Sequence, residues 1–381
     1  MQTEPSTAPS LHVSWVENDA PRTALWLSEH AGKPPRRIVV VDDTLNADAA
    51  FQLANQGTHM LWRGDYHNAR QLIDALARRV DKKKRGKAAL SPQQAFNQHR
   101  LAQSRRARLL GSLLLPLEAG ARIPLRRAPD VAAACNAVLG PLHEPALLPL
   151  RVLQGILGAA EWRRKGVIIP ALEESFHVHY GVFSPIRGEY IDLVANAPLP
   201  DTRLAFDVGT GSGVLAAVLA NRGVQRVVAT DIDERALACA RENIERLGLA
   251  GRISLERADL FPPGRAGLIV CNPPWLPARP TSTIESAIYD PDNRMLAGFL
   301  AGLADHLTPD GEGWLILSDL AELLGLRERS FLSQAIEAGG LTVLGRLDAR
   351  PKHPKALDPS DPLHEARNAE VTTLWRLARR S

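Results

Sequence analysis

Two short segments bring together residues whose types could do chemistry. Asn272-Pro-Pro-Trp275 closes the apolar run Leu268-Ile-Val-Cys271, and Asn272 lies 63 residues after Gly209 of Asp207-Val-Gly-Thr-Gly-Ser-Gly213. Asn272 offers an amide oxygen and Pro273 a backbone carbonyl, both acceptors for N–H bonds. Two consecutive prolines fix φ and stiffen the step, and Trp275 presents an aromatic face on which a planar group can stack. Amide and ring-amine nitrogens are poor nucleophiles because their lone pairs are delocalised. A rigid pair of acceptors would hold such an N–H group and aim its lone pair at an electrophile. Each segment alone is ambiguous, since Asn-Pro-Pro is a common turn and a glycine-rich turn after a strand has many uses.

The glycine segment reads as strand, turn, helix. Gly209, Gly211 and Gly213 let the backbone turn sharply and approach a ligand, and the N–H groups opening the next helix favour negative or polar groups. The spacing is GxGxG rather than the GxGxxG of dinucleotide-binding proteins. Asp231 follows Gly209 by 22 residues, at the end of the next expected strand, where a carboxylate can accept both ribose hydroxyls. Asp259 and Leu260 follow the third expected strand, Ile253–Ala258. Asp259 would accept from an exocyclic amine, and Leu260 or Phe261 would cover a ring face. Any one aspartate could be a loop cap. Asp207, Asp231 and Asp259 at successive strand ends point together to an adenosine-bearing ligand. Spacing leaves NAD and S-adenosylmethionine both open.

The elements that must hold these groups alternate regularly from about Thr202. Strands are expected at 204–208, 226–231, 253–258, 268–271, 313–318, 341–347 and 371–376, and helices at 214–222, 234–247, 296–306 and 320–338. This alternation argues for an α/β, doubly wound, Rossmann-like sheet. Upstream, residues 1–35 are rich in Pro, Ser and charge and are expected to start loosely ordered. Arg37–Asp42 and Thr58–Trp62 read as strands, 46–56 and 68–80 as helices. Asp81–Lys87 is expected to be a basic exposed linker. Helices are expected at 94–110, 129–139 and 145–157, then a hairpin from Val167–Pro170 and Phe176–Tyr180. The division expected is an N-terminal recognition region at 1–145, a connecting helix and hairpin at 146–200, and a catalytic domain at 201–381.

The two motifs together resemble the cofactor and catalytic loops of class I S-adenosylmethionine-dependent methyltransferases of the Asn/Asp-Pro-Pro-Tyr/Phe/Trp family. That family methylates nitrogen. It includes HemK-type glutamine methyltransferases of release factors and ribosomal proteins, and adenine or guanine methyltransferases of rRNA, tRNA and DNA. The resemblance covers roughly residues 150–345. It implies a sheet with an antiparallel edge hairpin and S-adenosylmethionine as cofactor. It implies binding by Asp207, Gly209, Gly211, Gly213, Asp231, Asp259 and Leu260, and catalysis by Asn272, Pro273 and Trp275. Gly181-Val-Phe-Ser-Pro-Ile-Arg-Gly-Glu189 resembles the segment that lids the cofactor, and Glu189 matches an acid the glutamine enzymes carry there. Gly181-Val-Phe-Ser184 is also similar to rRNA guanine methyltransferases, which carry a degenerate N-terminal copy of the catalytic fold. Trp275 stands where the glutamine enzymes usually have Tyr. Ile288-Tyr-Asp-Pro-Asp292 only partly resembles their Tyr-Glu-Pro step, and Gly298 lacks a neighbouring glycine. The implied substrate is a macromolecule: a protein glutamine amide in the translation machinery, or a base of rRNA or other nucleic acid. A non-catalytic RNA-binding relic and an NAD-dependent oxidoreductase are the remaining alternatives.

Composition narrows the setting. The 381 residues are 45% hydrophobic, enough for a packed core. No apolar run reaches membrane-spanning length, and the polar first residues lack signal-peptide character. Cys135, Cys239 and Cys271 are odd in number and without metal-ligand spacing, so a reducing cytoplasm and no metal are expected. Residues 1–170 carry 24 Lys and Arg against 14 Asp and Glu, while 171–381 carry 22 against 28. The excess concentrates in 81–127, with 12 basic residues and two acids. This is the footprint of a polyanion-binding segment or of a solvated helix face. Segment 350–367 holds Arg350, Lys352, His353 and Lys355, at the expected substrate mouth. His177 and His179 alternate with apolar residues and read as structural.

Overall fold

The computed structural model describes residues 11–28, 33–82, 90–201, 203–280, 284–351 and 358–380. Most of the expected basic linker, Lys83–Lys87, and residues 352–355 of the expected mouth insertion lie outside the described residues. The chain divides into two compact units, Met1–Ala89 with His99–Ala160, and Leu90–Gln98 with Glu161–Ser381.

The first unit begins with a hairpin, β1 (His12–Glu17) and β2 (Ala20–Trp26), turned at Asn18 and Asp19, both left-handed. It continues through β3 (Ile38–Val41), α1 (Ala47–Asn55), β4 (His59–Trp62), α2 (Tyr66–Val80), α3 (Pro92–Leu110), β5 (Leu113–Leu117), α4 (Ala132–Leu139), β6 (Ala146–Pro149) and α5 (Leu150–Lys165), with α3 belonging to this unit only from His99 and α5 only to Ala160. Local chemistry sets these starts. Asn46 caps α1 by accepting from the N–H groups of Asp48 and Ala49, at 3.1 and 2.9 Å. Asp65 caps α2 through the N–H of His67. The sheet order is β1-β2-β6-β5-β4-β3, with β3, β4 and β5 parallel and in chain order. The strand after the first crossover pairs directly beside β3, which is left at the sheet edge. The unit therefore does not repeat the central-strand topology of the second unit. Residues 145–149, expected to be helical, form β6 because all four strand residues are buried between β5 and β2.

The second unit contains β7 (Val167–Ile169), β8 (Glu174–Phe176), α6 (Glu189–Asn196), β9 (Leu204–Val208), α7 (Val214–Asn221), β10 (Arg226–Asp231), α8 (Glu234–Arg246), β11 (Ile253–Arg257) and β12 (Ala266–Cys271). It ends with α9 (Arg294–His306), β13 (Leu307–Ser318), α10 (Leu320–Leu323), α11 (Phe331–Ala338), β14 (Leu341–Ala349), α12 (His364–Ala369) and β15 (Thr372–Arg379). β7 and β8 form a separate antiparallel pair, and the other seven strands make one sheet in the order β11-β10-β9-β12-β13-β15-β14. In that sheet all pairs are parallel except the two made by β15. This is the doubly wound sheet with an antiparallel edge hairpin. Burial on both faces explains the continuous apolar strands: every residue of β12 is buried. Ala205 joins the cluster under α6, α7 and α8, while Phe206 and Val208 join that under α9 and α11. The chain order reverses between β9 and β12, and ligands bind at the carboxyl edge of such a switch point. The helix expected at 320–338 is two helices. Gly325, at φ +66°, ends the first, and Arg327 between them is drawn inward.

Candidate active site

The register places the two motifs side by side. Val208 pairs with Cys271, so Gly209 and Asn272 are the next residues on adjacent parallel strands, whose spacing is about 4.8 Å. The glycine turn hangs on the end of β10: the N–H groups of Gly209 and Thr210 both donate to the Thr230 carbonyl, at 2.9 and 2.8 Å. Gly209 has φ +73°, and a Cβ there would lie 2.6 Å from the Met295 methyl. The backbone conformation favours glycine, and a Cβ would also displace the flexible end of Met295.

The aspartates, alike in sequence position, are placed differently. Asp207 is fully buried. Its Oδ2 accepts from the Thr210 hydroxyl at 2.6 Å and the Ala216 N–H at 3.0 Å, tying the turn to α7, while Oδ1 has no partner. Burial pushes its carboxyl up to about 6, against those two hydrogen bonds and with help from the Asp231 charge. The buried carboxylate thus shapes the loop through Thr210 and Ala216. Asp231 is only partly buried. Its Oδ2 accepts from Gly211 N–H at 3.0 Å and its Oδ1 from Asp233 N–H at 2.9 Å. Each oxygen retains acceptor capacity. Burial raises its carboxyl above the usual range, partly offset by those N–H groups. Asp259 is exposed and paired with Arg294 at 2.6 Å. Leu260 is held at φ +81° with its carbonyl accepting from the Thr230 hydroxyl at 2.5 Å. That is a strained conformation for a branched side chain. Phe261 is stacked on His306, centroids 4.3 Å apart, and on Phe299. It is thus engaged elsewhere, which leaves Leu260 as the apolar group beside the turn. Glu189 is buried in the first turn of α6. The neighbouring Tyr190 is buried too, and burial with the Asp207 charge raises its phenol.

In the second motif, the Trp275 indole N–H donates to Asn272 Oδ1 at 2.9 Å. Trp275 is partly buried and packs against both faces' clusters. It was expected to stack on a planar target; the structure gives it the additional task of orienting the asparagine amide. The loop beyond is braced by 288–290: Leu276 N–H donates to the Ile288 carbonyl at 3.2 Å and Asp290 N–H to the Leu276 carbonyl at 2.8 Å. Asp290 also caps α9 through the N–H groups of Met295 and Leu296. Leu276 further packs with Phe96, whose ring meets Tyr289 edge-on at 6.5 Å.

Sequence reasoning missed Arg327. Its side chain is 1% exposed and paired with Glu322 through two bonds of 2.7 and 3.1 Å. It also donates to the Trp275 carbonyl at 3.4 Å, the Ser318 carbonyl at 3.3 Å and Asn293 Oδ1 at 3.2 Å. One buried cation thus ties the motif loop to the end of β13 and to the left-handed Asp292-Asn293 turn. His177 and His179 are wired into structure, to the Arg163 carbonyl and to Glu242. No group of three or more His, Cys, Asp or Glu among the described residues could hold a metal ion. No helix among them is long and apolar enough to cross a membrane.

Residues 174–331 match the family model described as methyltransferase small domain. The chain is 32% identical over 181 residues to a release factor glutamine methyltransferase of Cereibacter sphaeroides, covering 43% of this chain and 63% of that one. It is 37% identical over 143 residues to a ribosomal protein L11 methyltransferase of Pelotomaculum thermopropionicum, covering 37% and 39%. It is 30% identical over 163 residues to a tRNA1(Val) (adenine(37)-N6)-methyltransferase of Shewanella loihica, covering 39% and 66%. The chain thus spans less than two-thirds of the length of each of these relatives. The matched region contains the glycine turn, the strand-end acids, the Asn-Pro-Pro-Trp loop and Arg327. Residues 174–331 thus match the methyltransferase small domain family, and the unit that contains them has the Rossmann-like doubly wound sheet with an antiparallel edge hairpin of class I methyltransferases.

Proposed function

We propose that this chain is an S-adenosylmethionine-dependent methyltransferase that methylates a planar nitrogen on a macromolecule of the translation apparatus. The observation that carries the reading is Asn272 Oδ1, held by the Trp275 indole one residue beyond the pairing of β12 with β9. The residues present fit the cofactor. Gly209 and Gly211 give close backbone approach, Asp231 offers acceptors to ribose hydroxyls, and Leu260 lies beside the turn with Asp259 before it. Bound S-adenosylmethionine supplies an electrophilic methyl carbon. The chain's own work is positional. The remaining lone pair of Asn272 Oδ1 and the Pro273 carbonyl accept N–H bonds of the target. They hold its nitrogen lone pair toward the glycine turn. The Pro-Pro step and the Trp275 hydrogen bond keep those acceptors from reorganising.

A protein glutamine amide is the substrate the reading favours, because Glu189 and the segment before it resemble the glutamine enzymes and a release factor glutamine methyltransferase is among the relatives. The second reading, a nucleobase of rRNA or tRNA, is favoured by the basic first unit and by the tRNA relative. The test uses purified protein, methyl-labelled S-adenosylmethionine and a lysate fractionated into protein and RNA. Label in protein, absent with Asn272→Ala, supports the amide. Label in RNA, equally dependent on Asn272, supports the base. Label in neither removes the proposal.

A further inference from the structure

The helix α3 is built in an unusual way for a surface helix. Of the twelve residues from 97 to 108, nine are exposed and none is buried. A helix polar on most of its circumference needs ion pairs along its length or a partner to be stable. It can make no internal ion pair, because no Asp or Glu occurs from Lys82 to Leu117. Instead Leu101, Arg105 and Arg108 are spaced i, i+4 and i+7 on one face. All three are exposed, Leu101 at 72%. Like charges at this spacing cost each other stability rather than supplying it. Arg108, in the last turn, complements the helix dipole; Arg105 lies too far back for that.

The neighbouring element adds to the same charge. Arg106 pairs with Asp81 through bonds of 2.8 and 3.1 Å, which brings the end of α2 beside α3. Asp81 is thereby neutralised, and Asp48 on α1 is neutralised by Arg79 at 2.8 Å. Arg105 makes only a long contact, 3.4 Å, to the neutral Asn55 amide. Arg78 and Lys82, on the last turn of α2 and just past it, are both exposed. Asp74, exposed four residues before Arg78 on α2, is the acid at helical spacing from this face; Arg78, Lys82, Arg105 and Arg108 outnumber it.

We infer that the face formed by Arg78, Lys82, Arg105 and Arg108 binds the phosphate backbone of RNA. Guanidinium groups match phosphate geometry and are weakly hydrated. Four cations on two neighbouring helices, against the one acid Asp74, fit a chain of regularly spaced anions better than an isolated carboxylate. The inference stands apart from the methyl-transfer reading, since it uses no residue of the Asn272 site. RNA docking here would serve an enzyme acting on an RNA base or on a protein carried by RNA.

Fluorescence anisotropy of the full chain with a labelled single-stranded RNA of roughly 20 nucleotides tests it, with salt varied and no cofactor present. Four phosphate contacts predict that log affinity falls with log salt with a slope of about −3, and Arg105→Gln with Arg108→Gln should bring the slope to about −1.4. The same double variant should weaken binding about tenfold or more at low salt. Arg203→Gln, an exposed arginine on the second unit, should leave both unchanged, as should Asn272→Ala. Helical circular dichroism confirms that the variants fold. Native-like affinity and slope in the folded double variant would overturn the inference. So would labelled polyglutamate binding as tightly as RNA and losing affinity in the same variant, which would assign the face to an acidic protein.

Discussion

Arg327 gives the sharpest test of how the site is held. In Arg327→Met the buried Glu322 carboxylate loses both its bonds, and the carbonyls of Trp275 and Ser318 and the Asn293 amide oxygen lose a shared donor. Side-chain exposures of 1% and 14% make this a largely desolvated pair. Breaking such a pair costs about 3–5 kcal/mol, because the surviving charge is stranded. For a unit of this size that lowers the unfolding midpoint by roughly 6–20 °C. Removing both partners, in Glu322→Gln with Arg327→Met, should recover most of that loss, since no buried charge is then left alone. Activity should not follow stability. The Trp275 carbonyl stays unanchored in the double variant, and a shift of about 1 Å in a catalytic loop costs about 100-fold in rate. The assay pairs calorimetric unfolding with initial rates of label transfer into the accepting fraction, both variants kept well below their midpoints. The expected result is a midpoint near native in the double variant, kcat still reduced about 10- to 100-fold, and a KM for S-adenosylmethionine little changed. If kcat returns with the midpoint, the loop holds itself and Arg327 serves the fold alone.

Three further outcomes follow from the same geometry. Trp275→Phe keeps the ring but removes the donor to Asn272 Oδ1; stability should fall by about 1 kcal/mol while label transfer falls about 10- to 100-fold, and equal transfer by the variant would show that the indole N–H does not orient the amide. Gly209→Ala should abolish measurable S-adenosylmethionine binding by calorimetry, and adding Met295→Ala should restore only part, because the clash at 2.6 Å is relieved but φ +73° is not; full recovery would mean the backbone conformation is dispensable. For Asp207, a folded value of about 6 above an ordinary value of 3.8 means the folded state binds its proton more tightly. Its contribution is therefore favourable below pH 4 and is lost as pH rises from about 4 to 6, by up to roughly 3 kcal/mol. Asp207→Asn should remove that segment, so the variant's midpoint relative to native should rise between pH 4 and 6.5; a difference flat across that window would show that the carboxyl titrates normally.

How much was legible in the sequence depends on whether a residue's state is set locally or by distant neighbours. The limits of β9 and β10 match the expectation to the residue, because each is an apolar run bounded by a turn or a polar strand end. The β1–β2 hairpin was overlooked inside a stretch rich in Pro, Ser and charge, although Asn18-Asp19 between alternating residues is a turn signal. β5 was invisible for the opposite reason: all five of its residues are buried, so Leu-Leu-Leu-Pro-Leu shows no alternation. At the site, the motif loops could be found because glycine turns and proline steps are local. The roles within them could not. Asp207 and Asp231 are both aspartates near strand ends, yet one is sealed behind Thr210 and Ala216 while the other keeps acceptors toward solvent, and only the partners in α7 and the glycine turn decide which is which. Arg327 makes the point more strongly. An arginine after Leu-Gly-Leu carries no motif, and Gly325 announces only that a helix ends. Its burial requires Glu322 one turn back, the end of β13 and a loop fifty residues upstream to converge. A buried cation of this kind holds several segments at once, and one of them is the loop that carries Asn272.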